Sequence, residues 1–75
     1  MAELDNFAEI KECFYKEEHY SVRDNGAIMR HQREGKRIRK DDNVWTFGKP
    51  NINTGYMEFS GERVHRIVAY AFHGN

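Results

Sequence analysis

Cysteine is nearly missing from this chain. Cys13 stands alone, so no disulfide can form within it, and a single thiol fits a reducing compartment. Long apolar runs are missing too: none approaches the roughly 20 residues needed to span a bilayer, so no membrane partner is expected. The opening "MAELDNF" has neither the basic region nor the apolar region of a signal peptide, and the expected location is cytoplasmic. Net charge is zero. There is also no internal repeat, no low-complexity tract and no interdomain linker, which makes residues 1–75 one small domain.

What is present is aromatic and charged. Five Phe, four Tyr and one Trp permit a compact core in a chain near the lower size limit for independent folding. Charged residues make up 32% of the sequence, so much of the surface is solvated. Their order is uneven. Residues 1–20 carry two basic and six acidic side chains, a net of −4; residues 21–40 carry seven basic and two acidic, a net of +5; the remainder carries three basic and four acidic, a net of −1. Such asymmetry says more about a partner than the vanishing total does.

The segment "LDNFAEIKECFYKEEHY" reads as a helix within residues 1–18. Phe7, Ile10 and Phe14 fall on one helical face with Cys13 beside them, and Asn6 with Glu9 has the spacing of a capping box. Glu17 and Glu18 suit the end of a helix poorly and mark its close. In that setting Cys13 reads as a buried, inert thiol. "HYSVRDNGAIMR" then changes period, and Asp24-Asn25-Gly26 predicts a β-hairpin turn. "RHQREGKRIRKDDN" reads as a polar loop or exposed hairpin. Val44–Phe47 and Tyr56–Phe59 read as strands, with "GKPN" between them and a Ser60-Gly61 turn after them. Val64, Ile67, Val68, Ala71 and Phe72 form one apolar stripe at helical spacing, and Gly74 is placed to end that helix. The fold class is therefore α+β: a small antiparallel sheet of short hairpins, with an N-terminal helix and a C-terminal amphipathic helix.

Catalytic and metal signatures are weak. His65 and His73 lie about 12 Å apart along a helix at roughly 1.5 Å per residue, unlike the i, i+4 pairs that bind zinc. No second cysteine supplies a thiolate site. Ser21, Ser60 and Cys13 lack a nucleophile motif. The neighbours Glu17-Glu18 and Asp41-Asp42 read as solvated surface. Neither a catalytic residue nor a metal ligand is assigned.

The basic stretch carries more information. Arg30, Arg33, Lys36, Arg37, Arg39 and Lys40 surround "REGKRIRK", and such a cluster can neutralise phosphates and release counterions. If residues 36–40 are extended, Lys36 and Lys40 project to one side and Arg37 and Arg39 to the other. Arg63, His65 and Arg66 form a second basic spot near the start of the last helix, where an anion is favoured. Trp45 and Phe47 are of a type that stacks on bases, but a domain with so few large residues is expected to bury them.

"YSVRDNGAI", "NTGYMEF" and "RVHRIVAYAFHGN" together resemble the nuclease-associated modular domain that precedes the HNH motif in many phage and mobile-element endonucleases. The likeness spans residues 19–75; its matched elements are Tyr20 to Ile28, Gly55-Tyr56 and Val64 to Phe72. It implies a domain that supports and positions DNA for a following nuclease. It also implies a Mg²⁺-type ion and a histidine base in a downstream segment of the full-length protein. The D-H-x-D-G pattern of that segment is not in this sequence, and His65 matches a lead-in histidine, not the catalytic one. No cofactor is therefore expected in this chain. The likeness does not extend to the opening segment.

The expected function is that of a DNA-binding accessory domain of an HNH endonuclease, contacting mainly phosphates through the nine basic residues just named. Its rival is a protein-interaction or scaffold module, in which the acidic opening segment and the basic loop dock on another chain or on each other. A third possibility, a self-sufficient metal nuclease, requires the chain alone to nick plasmid DNA. The DNA expectation requires the central arginines and lysines to stand free in water.

Overall fold

The structure, a computed structural model, describes residues 4–74. Seven short strands precede one helix. They are β1 (Ile10–Tyr15), β2 (Glu18–Arg23), β3 (Ile28–Arg30), β4 (Trp45–Thr46), β5 (Lys49–Pro50), β6 (Met57–Phe59) and β7 (Glu62–Arg63), followed by α1 (Val64–His73). β1 to β4 form one antiparallel sheet in chain order, and β5 to β7 form a second. The α+β class holds, as does the closing helix. Among the described residues no helix is long and apolar enough to cross a membrane.

The opening helix is not formed. Within residues 4–18 the segment Ile10–Tyr15 is a strand paired along its whole length with β2, from Ile10↔Arg23 to Tyr15↔Glu18; Met1–Glu3 lie outside the described residues. The side chains obey a period of two. Cys13 and Tyr15 pack against the core, whereas Ile10 and Phe14, on the other face, are exposed, Phe14 by 70%. The two strands are joined by Lys16-Glu17 with φ of 48° and 67°, the paired positive values of a type I′ turn. Cys13 is half-buried on a strand, not in a helix, and burial raises the pKa of its thiol.

Residues 4–9 form a strap along the next hairpin. Arg23 donates to the Leu4 carbonyl at 2.8 Å and to Asp5 at 3.2 Å, and Asn25 donates to the carbonyls of Leu4 and Asn6. Asp24 accepts from the Ala8 N–H at 3.0 Å. The Arg23 guanidinium lies between the Phe7 ring at 4.2 Å and the Trp45 ring at 3.8 Å. Trp45 and Phe47 are thus half-buried and outside the buried core, contrary to expectation. Trp45 pairs with Met29, which puts its ring on the face of the sheet turned away from α1.

The hairpin at Asp24–Gly26 forms as expected, closed by hydrogen bonds from Gly26 N to Arg23 O and from Arg23 N to Ala27 O. Tyr20, Val22 and Ile28 from its strands meet Val64 and Ile67 of α1 and Phe59 of β6 in the core. Val68, Ala71 and Phe72 complete the helical stripe as partly buried residues. Gly74 caps the helix through its N–H to Tyr70 O at 3.2 Å. Pro50 occupies edge strand β5, where its missing N–H costs no ladder bond. The chain passes from the first sheet to the second at Gly48, with φ of 89°; a Cβ there would sit 2.7 Å from Val64 Cγ2 and 2.8 Å from the Glu58 carbonyl oxygen.

Two substitutions probe this framework. Glu17→Gly relieves a left-handed residue and should raise stability by about 1 kcal/mol in urea denaturation. Gly48→Ala combines a forbidden φ with a backbone clash and should lower it by about 2 kcal/mol or more.

Candidate nucleic-acid interface

The basic segment is a loop, residues 31–44, with no strand at 36–40. Its shape is set by charge. Asp42, whose side chain is wholly buried, accepts from Arg30 Nε at 2.8 Å through one oxygen. Its other oxygen accepts from the Arg39 backbone N–H at 2.9 Å and from Arg39 Nε at 3.1 Å. Arg39 then reaches Glu18 on β2 with both terminal nitrogens, at 2.8 and 3.0 Å, and Arg33 reaches the same carboxylate at 2.9 Å. The loop also bridges to β3 through the hydrogen bond from Asn43 N to Arg30 O at 2.7 Å. Five side chains therefore run Arg30, Asp42, Arg39, Glu18, Arg33 as one alternating network.

Asp42 and Glu18 are not the solvated acids that the sequence suggests. In each adjacent pair one acid is exposed, Glu17 or Asp41, and the other is a hub. Burial on its own would push the Asp42 carboxyl up, but the Arg39 backbone N–H and the Arg30 and Arg39 side chains outweigh it and hold the pKa at about 2. Hydrogen bonding from Arg39, opposed by burial and helped by the charges of Arg39 and Arg33, lowers Glu18 as well.

The nine basic residues of the candidate interface thus separate. Arg30 is 7% exposed, and its guanidinium also lies over the Phe59 ring at 4.9 Å. Arg30 and Arg39 hold the loop, and Arg33, about half exposed, shares Glu18. Lys36, Arg37 and Lys40 are exposed and make no ion pair among the described residues. The second basic spot gathers on one ring: Arg63 lies 4.2 Å over Tyr56, and the His65 ring lies 5.3 Å from it. Arg66 is exposed on α1.

One cluster escaped notice in the sequence. Phe14, His19 and His31 stack on the outer face of the first sheet, with centroids 4.8 and 4.2 Å apart. His19 Nε2 lies 2.8 Å from Glu12, and His31 Nε2 shares a hydrogen bond with the Ser21 hydroxyl at 2.7 Å. His19 and His31 are equidistant from Asn25, so the predicted hairpin already contained this pairing. The two rings lie face to face and do not converge. Among the described residues no three His, Cys, Asp or Glu side chains are grouped to hold a metal ion.

No protein-family model, curated protein or solved structure matches the chain.

The network makes the fold acid-sensitive. Because the folded Asp42 pKa lies below its unfolded value near ~4, its contribution is complete above about pH 4 and is lost as pH falls toward about 2. Thermal unfolding between these limits should show a steep decline that Asp42→Asn flattens. Asp42→Ala, which leaves Arg30 buried without its partner, should cost about 3 kcal/mol at neutral pH.

Proposed function

We propose that the domain is a DNA-contacting accessory module, catalytically silent alone, that holds duplex DNA for a metal-dependent HNH-type nuclease segment of the same protein. The observation that carries this proposal is the loop at 31–44. Lys36, Arg37 and Lys40 project from a loop held by the Arg30–Asp42–Arg39 network, and among the described residues these three cations have no ion-pair partner. The motifs at Tyr20–Ile28, Gly55-Tyr56 and Val64–Phe72 support the same assignment by resemblance. Arg63, His65 and Arg66 supply secondary phosphate contacts, and Arg33 can exchange Glu18 for a phosphate at the rim. Arg30 and Arg39 act indirectly, by shaping the loop. The Mg²⁺-type ion belongs to the downstream segment.

The scaffold alternative draws support from one feature. Glu18 already pairs with Arg33 and Arg39, which is the mutual docking of acidic and basic segments that this alternative foresees. That pairing leaves Lys36, Arg37 and Lys40 unaccounted for, and the DNA assignment accounts for them.

Duplex titrations across salt concentration test the proposal. Three free cations predict a slope of log K against log salt of about −3, at about 0.9 per phosphate contact. The triple change Lys36→Glu, Arg37→Glu, Lys40→Glu should reduce affinity at low salt by about tenfold or more with the thermal midpoint unchanged. A flat salt dependence in the unaltered protein, or a triple variant that binds as well as the parent, refutes it.

A further inference from the structure

The turn between β5 and β6 displays an isoleucine with almost no cover. Ile52 is 95% exposed, the most of any large apolar side chain among the described residues. A single exposed apolar residue is ordinary on a protein surface, but the support beneath this one is not. Asn51 accepts through its side chain from the N–H groups of Asn53 at 2.8 Å and Thr54 at 3.3 Å. Its carbonyl accepts from Thr54 and Gly55, and its own N–H donates to Tyr56 O at 2.9 Å. Its amide nitrogen donates to Glu58 at 3.2 Å, and the Thr54 hydroxyl accepts from Tyr56 N at 3.3 Å. The N–H groups of Asn51, Asn53, Thr54, Gly55 and Tyr56 are thus all bonded within the turn, while its tip carries a bare aliphatic group.

The surroundings of the turn favour one occupant. Lys49 is exposed on the arm leading in. Tyr56, on the arm leading out, carries Arg63 and His65 against its ring. Of the neighbouring acids, Glu62 pairs with Lys16, and Glu58 lies between Lys49 and Arg63 in the strand register while accepting from the Asn51 amide, so the two cations outnumber the one carboxylate beside them. A rigid apolar tip with cations at its foot has the composition of the wedges that proteins insert between base steps, where the apolar group unstacks the step and the cations meet the flanking phosphates.

We infer that Ile52 is an intercalating wedge that enters a deformable base step of duplex DNA, with Lys49, Arg63 and His65 contacting the backbone beside that step. This rests on the DNA-contacting function proposed above and adds a bend or kink to it. A pyrimidine–purine step, the least costly to unstack, is the expected point of entry.

The test uses short duplexes with a central TpA step whose adenine is replaced by 2-aminopurine, and end labels that report bending by energy transfer. The protein should raise 2-aminopurine fluorescence several-fold and shorten the end-to-end distance. Ile52→Ala, at a position with no packing to lose, should abolish both signals while affinity measured by anisotropy falls less than about tenfold. Asn51→Ala, which removes the turn's brace, should weaken both signals with Ile52 intact. If the parent binds duplex DNA but neither signal appears, or Ile52→Ala retains them, the wedge is refuted and the DNA assignment stands; the tip would then suit a protein pocket instead. If the parent fails to bind any duplex at low salt, both proposals fall together.

Discussion

A wholly buried aspartate organises the basic half of this domain. Asp42 lies at the point where the 31–44 loop returns to β3, joined there by an isolated parallel bridge between Arg30 and Asp42. A lone carboxylate in that position would be prohibitive, and its neutralisation by two guanidiniums and a backbone N–H makes it tolerable. The same contacts dictate where the loop can run. Arg39 must stay within reach of both Asp42 and Glu18, so the cations before and after it have a fixed stage from which to project. Without Asp42, fourteen residues of polar sequence would have little to define them, because the loop adds only an exposed Ile38 and Val44 as large apolar groups.

This arrangement changes the meaning of the charge asymmetry along the chain. The acidic first third and the basic middle third are not two poles offered to separate partners. Part of their charge cancels inside the molecule, through Glu18 with Arg33 and Arg39, and part is anchored by Asp42, just beyond the middle third, through Arg30 and Arg39. What remains outward is a smaller and better-defined basic feature than a count of residues suggests. Three cations held in place are a more specific recognition element than seven on a mobile tether, because less conformational freedom is lost when a ligand binds.

Much of the architecture was legible in the residues, and the exceptions share a cause. The helix from Val64 has five apolar positions in register with a 3.6 period, a signal that no strand pattern imitates. The Asp24–Gly26 and Ser60-Gly61 turns contain glycine where positive φ is needed. At Lys16-Glu17 the same backbone geometry is imposed on two long side chains with no glycine or asparagine to announce it, and the chance spacing of Phe7, Ile10 and Phe14 then mimics a helix. The alternation of Lys11, Cys13 and Tyr15 was available, but only Tyr15 and half-buried Cys13 declare it. At the candidate interface, residue type located the basic loop correctly but could not divide it. Which arginine holds the loop and which is free depends on contacts between Glu18 and Arg39, 21 positions apart, and such contacts leave no local trace.

The strap at residues 4–9 has an optical corollary. The chain's one tryptophan sits outside the hydrophobic centre, against a guanidinium that also grips the strap. Intrinsic emission from this protein is therefore a gauge of whether the amino-terminal segment is seated, and only secondarily of whether the centre is intact. A spectroscopist who reads an early change in that signal as loss of the native state would be watching a buckle open while the garment stays on.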